Sequence, residues 1–132
     1  MDQRLVDSLD NLSRVNASLH LALQASPRSA LVVAGIIKNF EFNYELSWKA
    51  LRRLLAFHGV VTSSPRQAIT EGYRKKFIDN EKTWLEIIED RNLTVHTYDE
   101  TFALLMAKRI EAKYLGQFDV LLRRLEQEVA SP

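Results

Sequence analysis

The longest uninterrupted pattern in the sequence runs from Ser29 to Phe57, where large apolar residues recur every three or four positions. That period corresponds to one face of an α-helix. The residues on this face are Val33, Ile36, Ile37, Phe40, Tyr44, Trp48, Leu51 and Leu55. The pattern predicts a helix about 40 Å long, at about 1.5 Å per residue.

Four further helices are predicted from the same period and from capping residues. The first covers about 2–23 and ends before Pro27, because proline cannot continue a helix. Gly59 is placed to end the long helix in a left-handed conformation. The others are a short helix from a Ser64 cap to about Phe77, one capped by Asp79 or Asn80 that reaches Leu93, and a last one that begins at a Thr97–Glu100 capping box.

Only four glycines and three prolines occur in 132 residues, which favours long helices over many short strands. Together the patterns predict an all-α fold, an up-and-down four-helix bundle with an additional short helix. The length is typical of a single domain, and we expect one helical domain over residues 1–132.

Charge and composition exclude several classes of protein. The net charge of +1 argues against a high-affinity, non-specific nucleic-acid binder, although it leaves room for a local basic patch. The absence of cysteine excludes disulfides and thiolate metal sites. The three histidines are far apart and predict no metal site. Without an apparent signal peptide or a sufficiently long apolar run, we expect a cytoplasmic protein that does not bind membranes.

The candidate functional site is the run Arg91-Asn92-Leu93-Thr94-Val95-His96-Thr97-Tyr98. His96 precedes the predicted last helix, whose positive N-terminal end disfavours imidazolium, so a neutral imidazole could accept a proton. Arg91 could hold a phosphate through two parallel hydrogen bonds. Asn92 adds a donor and Tyr98 a hydroxyl, and this combination is compatible with a phosphodiester site.

The spacing alone is weak evidence, because Arg53 and His58 repeat it and eleven arginines produce such pairs by chance. His58 is more simply a basic residue at a helix C-terminus, and His20 a half-buried or surface histidine within a helix. Arg91 could also pair with a nearby carboxylate. The candidate partners are Glu89, Asp90 and Glu100.

Several segments together resemble a known family. Arg91-x4-His96-Thr97-Tyr98 is similar to the Arg-x4-His-x-Tyr signature of HEPN-domain proteins. The segment 40–49, Phe-Glu-Phe-Asn-Tyr-Glu-Leu-Ser-Trp-Lys, resembles the second helix of the nucleotidyltransferase substrate-binding family. Residues 64–69 and 84–94 resemble later blocks of that family, and the resemblance extends from about Leu5 to Leu125.

The resemblance implies a homodimeric bundle whose partner is a minimal nucleotidyltransferase encoded by a neighbouring gene. In the related HepT-type toxins, the Arg and His of the motif act in RNA cleavage without a metal or cofactor, and the partner transfers AMP to the motif tyrosine. By position these roles fall on Arg91, His96 and Tyr98, with Asn92 and Thr97 in support. Thr97 stands where many HepT toxins have glycine, so the chain is nearer the substrate-binding branch. The alternative is a non-catalytic helical module that binds a nucleotide or another substrate and only presents it to the partner nucleotidyltransferase, and the resemblance leaves RNA or a nucleotide as a possible ligand.

Two other surfaces allow more than one interpretation. The aromatic residues of the long helix are most simply core, but their face could instead belong to a dimer interface. On the same helix, Glu45 and Lys49 have the spacing of an ion pair. Basic residues around the short helix indicate a solvated face, or less simply a contact with an RNA or nucleotide backbone. These are Arg66, Arg74, Lys75 and Lys76.

Overall fold

The computed structural model describes residues 2–131; Met1 and Pro132, the ends of the range predicted for a single domain, lie outside it. The described residues form helices and connecting turns. The α-helices are α1 (Gln3–Gln24), α2 (Ala30–Phe57), α3 (Pro65–Arg74), α4 (Glu81–Leu93), α5 (Glu100–Arg109) and α6 (Leu115–Ala130). A 3₁₀ turn, Thr94–His96, follows α4. A π turn, Ile110–Tyr114, joins α5 to α6, and these three segments together are called the last rod.

The predicted all-α fold is confirmed, and α2 lies at its centre, where it contacts each of the other five α-helices. Its apolar face is buried throughout, as the periodicity indicated. Phe40 is fully buried and packs against two aromatic rings of the last rod, with centroids 5.8 Å from Tyr114 and 5.9 Å from Phe118. The ring of Trp84 on α4 packs edge-on against the ring of Phe118, with centroids 5.5 Å apart. The aromatic core therefore joins α2, α4 and the last rod.

The burial of Phe40, Tyr44 and Trp48 decides between the two interpretations of the aromatic face. These side chains are only 0%, 5% and 9% exposed within a single chain. The prediction that they are core residues is confirmed, and the alternative that their face belongs to a dimer interface is wrong. The Glu45–Lys49 ion pair is also present, at 3.6 Å.

Several predicted helix ends agree with the structure. Ser64 caps α3 by accepting a hydrogen bond from the Gln67 amide, and the Gln67 side chain accepts a bond from Ser63 rather than from Ser64. Asn80, not Asp79, caps α4. Gly59 has a φ of +82°, the left-handed conformation expected of it. α3 ends at Arg74, three residues before the predicted end at Phe77.

The start of the last helix was predicted wrongly. Thr97 has φ −73° and ψ −1°, a helical conformation that an N-terminal cap cannot have, because it continues the 3₁₀ turn after α4. Asp99 is extended instead and accepts a hydrogen bond from the Phe102 amide. The helix that follows is also not uniform, since the π turn divides it into α5 and α6.

Candidate functional site

The predicted run lies where α4 ends and α5 begins, on one side of α2. Arg91 is in the last turn of α4, Asn92 follows it, His96 closes the 3₁₀ turn, and Thr97 and Tyr98 lead into α5. Thr94 fastens the turn, because its backbone N–H and its hydroxyl both donate to the Arg91 carbonyl. The segment from Arg91 to Tyr98 therefore forms a compact bend between α4 and α5, which is called the corner below.

Arg91 is held by α2, which sequence spacing did not indicate. Its Nη1 atom lies 3.4 Å from Glu41 Oε2 and 3.2 Å from Thr94 Oγ1. Thr94 Oγ1 is in turn 3.2 Å from Glu41 Oε2. Glu41 and Arg91 are 23% and 28% exposed, so the pair is partly shielded from water. The predicted pairing of Arg91 with a neighbouring acid is wrong, because its partner is 50 positions earlier in the sequence.

Tyr44 lies beneath this pair, one helical turn after Glu41. Burial raises the pKa of the Tyr44 hydroxyl, the negative charge of Glu45 raises it further, and the positive charge of Arg91 opposes the shift. The charge of Arg91 is therefore close enough to act on the Tyr44 hydroxyl. The Nε atom of Arg91 is buried and has no hydrogen-bond partner within residues 2–131.

His96 and Tyr98 form a second, more open part of the corner. The Tyr98 hydroxyl lies 3.4 Å from His96 Nδ1, and the two rings meet nearly edge-on with centroids 6.0 Å apart. His96 is exposed, and Tyr98 is 82% exposed. Asn92 is exposed as well. In the part of the chain that the structure describes, no hydrogen bond or ion pair links Arg91 to His96.

A groove of about 530 Å³ adjoins this corner between α2 and the start of α5. Glu41 and Thr97 are shared by the groove and the corner, which places Thr97 in a supporting position. The apolar lining comes from Ala30, Val33, Ala34, Ile37, Ala103 and Leu104, and the charged rim from Arg28, Lys38, Glu41 and Glu100. A ligand in this groove would meet an apolar floor and charges of both signs.

The last turn of α4 is also held by the last rod. Asp90, the residue before Arg91, is buried, and its carboxylate accepts a hydrogen bond from the Tyr114 hydroxyl. Arg109 Nη1 contacts the other oxygen of this carboxylate at 3.1 Å. Burial, followed by the hydrogen bond to Asp90, raises the pKa of Tyr114 far above its ordinary value. The sequence indicated Asp90 only as a candidate partner of Arg91.

The remaining histidines and the basic residues lie elsewhere. His20 is half-exposed and contacts Asp119 at 2.8 Å, whereas His58 is the C-terminal cap of α2. Both agree with the simpler interpretations given above. Arg74 pairs with Glu71 on the surface of α3 at 2.9 Å. Across residues 2–131, no group of three or more potential metal ligands is present and no helix is both long and apolar enough to cross a bilayer.

Comparison with known proteins agrees with this architecture. The model of the family described as "Nucleotidyltransferase substrate binding protein like" matches residues 7–127. The chain belongs to this family. A Haemophilus influenzae protein named "Probable ribonuclease HepT" is 31% identical over 110 residues, which are 80% of this chain and 75% of that protein.

Two solved structures have similar folds. One is a Haemophilus influenzae protein described as revealing the fold of a substrate binding domain of a nucleotidyltransferase. It is 28% identical with a TM-score of 0.80, over 90% of this chain and 99% of the other. The second, from Thermus thermophilus, is 24% identical with a TM-score of 0.75, over 91% of this chain and 99% of that one, and it supports the fold alone.

Proposed function

We propose that this chain is the HEPN-type subunit of a two-gene nucleotidyltransferase module and that it cleaves RNA without a metal. The observation that carries the proposal is that Arg91, whose guanidinium is held by Glu41, and the exposed imidazole of His96 both lie at the junction of α4 and α5. His96 removes the proton of a ribose 2′-hydroxyl, and that oxygen attacks the adjacent phosphorus. Arg91 stabilises the additional negative charge on the phosphate oxygens. The bond to the 5′-oxygen breaks, leaving a cyclic phosphate and, after protonation, a free 5′-hydroxyl.

The experiment is cleavage of RNA by the purified chain and by His96→Ala. We expect the variant to lose cleavage and growth inhibition while its fold is preserved, because His96 is exposed and supports no core contact. His20→Ala is the matched control, since it removes a half-exposed imidazole on α1 and should leave cleavage unchanged. Equal cleavage by His96→Ala and the wild type would exclude His96 as the base.

The proposed partner is a minimal nucleotidyltransferase, which we infer transfers AMP to Tyr98. The phenol is 82% exposed, so a second active site could reach it. The Tyr98 oxygen would attack the α-phosphorus of ATP, and pyrophosphate would leave. Co-expression with the adjacent open reading frame should give a stable complex and an intact mass increased by AMP units. If Tyr98→Phe gains the same mass, the acceptor is another residue.

The proposed unit is a homodimer formed through the surface that surrounds the groove. A set of exposed apolar side chains lies on α2, at the end of α4, in the 3₁₀ turn and on α5, and patches of such side chains commonly mark interfaces. They are Leu31, Leu93, Val95, Leu104 and Leu105. Leu105→Glu should reduce the mass measured by analytical ultracentrifugation to that of a monomer. Leu21→Glu, an equally drastic change at a 70% exposed position of α1, should leave the mass unchanged.

A second candidate function is a module that binds a nucleotide without cleaving RNA. The Glu41 carboxylate favours it, because it already neutralises much of the charge that a cleavage site would direct at phosphate. The groove beside the corner has room for a small ligand. A purified chain that binds AMP or the partner but leaves RNA intact, even at equimolar concentration, would support this function over the first.

A further inference from the structure

The buried carboxylate of Asp90 requires an explanation beyond stability. An unpaired buried charge is strongly destabilising, and chains that keep one surround it with donors. Asp90 is 7% exposed, and its two oxygens are bound separately, one by the Tyr114 hydroxyl and the other by Arg109. Both donors come from the last rod, and the residue they hold is the direct neighbour of Arg91.

The π turn explains how one rod supplies both donors. Arg109 and Tyr114 are five positions apart, and in a regular α-helix such residues point about 140° away from each other. A π turn, with hydrogen bonds between residues five apart, adds a residue to the turn and returns both to one side. The Leu115 N–H group donates to the Ile110 carbonyl, which is this bond. The π turn therefore brings the side chains of Arg109 and Tyr114 together at Asp90.

Tyr114 is itself immobilised by the core. It is 1% exposed, and its ring stacks on Phe40 with planes 25° apart. The phenol is protonated in neutral solution, as that of an ordinary tyrosine is, and it donates its hydrogen bond to Asp90. The position of the donor is thus fixed by its stacking on the central helix α2, and Tyr114 links Asp90 to the buried aromatic core.

We propose that Asp90, Tyr114 and Arg109 are positioning residues, a clamp that fixes the last turn of α4 and thereby aims the Arg91 side chain. The clamp contacts this turn from the last rod. Arg91 itself contacts Glu41 of α2 and Thr94 of the 3₁₀ turn. Arg91 needs the clamp, because its guanidinium must be placed within a fraction of an ångström to act on phosphate. The importance of this aim rests on the proposed function of Arg91.

The test compares Tyr114→Phe and Asp90→Asn with Asp119→Asn. Tyr114→Phe removes one hydroxyl and keeps the stacked ring, so it remains useful if Asp90→Asn fails to fold. Asp119→Asn is the matched control, because Asp119 also joins two helices, through Asn16 at 2.9 Å and His20 at 2.8 Å, but lies on α6. Unfolding in urea, measured for all three, separates a loss of stability from a change at the site.

The readout is the NMR signal of the Arg91 Nε–H group, assigned by its absence in Arg91→Lys. This group is buried, which protects its proton from exchange. We expect the signal to move in Tyr114→Phe and in Asp90→Asn and to stay in place in Asp119→Asn. A signal that is unmoved in both clamp variants, or that moves equally in the control, would overturn the proposal.

RNA cleavage gives a second readout that separates this inference from the proposed function. If the wild type cleaves RNA, the clamp variants should lower kcat by about 10- to 100-fold with little change in KM, as expected for a misplaced group. Unchanged kcat would overturn the clamp. If the wild type does not cleave RNA, the proposed function fails alone, and the Arg91 signal still decides whether the clamp positions this side chain.

Discussion

The ion pair between Glu41 and Arg91 allows a prediction in which stability and ligand affinity change in opposite directions. Glu41→Gln keeps an oxygen that can accept from Thr94 and removes the negative charge 3.4 Å from the guanidinium. The loss of this attraction should lower the free energy of unfolding by about 0.5 to 1.5 kcal/mol. The guanidinium, no longer neutralised by its partner, should bind phosphate more tightly.

If phosphate displaces Glu41 from the guanidinium, the attraction between Glu41 and Arg91 is lost on binding, and Coulomb's law gives its size. At 3.4 Å and the dielectric constant of water, about 80, two unit charges interact by about 1 kcal/mol. Because both side chains are less than one-third exposed, the effective dielectric constant is lower than that of water and this figure is a lower bound. A change of about 1 kcal/mol corresponds to about fivefold in affinity, since about 1.4 kcal/mol corresponds to tenfold.

The assay is an NMR titration of each variant with AMP at fixed ionic strength, alongside unfolding in urea. Glu45→Gln is the matched control, because Glu45 lies one turn along the same helix and pairs with Lys49 instead. We expect it to leave the affinity for AMP unchanged. If Glu41→Gln weakens AMP binding as strongly as Arg91→Ala does, Glu41 serves to place the guanidinium, and the electrostatic reasoning is refuted.

Two further predictions concern stability. Gly72→Ala should lower the free energy of unfolding by about 1 kcal/mol, because the new Cβ would lie 2.9 Å from a methyl group of buried Leu51. Gly116→Ala meets no atom within 4 Å and should raise it by up to about 1 kcal/mol; equal effects in urea unfolding would contradict this contrast. The pKa of Glu86 is lowered from 4.5, chiefly by the hydrogen bond from Lys113. This bond stabilises the fold above pH 4.5, and its contribution is lost as the pH falls through the lowered pKa of Glu86. The free energy of unfolding of Lys113→Gln should therefore fall slightly less between pH 6 and 3 than that of the wild type.

The sequence indicates the helices well because each signal for them is local. The apolar period of α2 and the serine cap at Ser64 involve residues within a few positions of one another. The start of α5 was missed because Thr97 and Asp99 are both good caps, and the choice depends on how far the preceding 3₁₀ turn continues. The π turn was missed because the sequence from Ile110 to Tyr114 contains no feature that separates it from an ordinary helix.

The candidate site was also predicted only in part, and the predicted part again depends on local signals. The location of Arg91, His96 and Tyr98 at a helix junction was predicted correctly, because it follows from where neighbouring helices end. The partner of Arg91 was not, since Glu41 belongs to a helix distant in sequence and only the packing of α2 against the corner brings them together. The catalytic and modification roles of these residues remain predictions.

The central position of α2 also affects how the chain can reach its fold. Every other α-helix packs against this one, so much of the entropy lost in ordering each of them is offset by contacts with α2. We therefore expect the folding nucleus to include the middle of α2, near Phe40. Mutations there should slow folding, whereas mutations at the ends of α6 should mainly accelerate unfolding. The helix that supplies Glu41 to the candidate site would then be among the first to form.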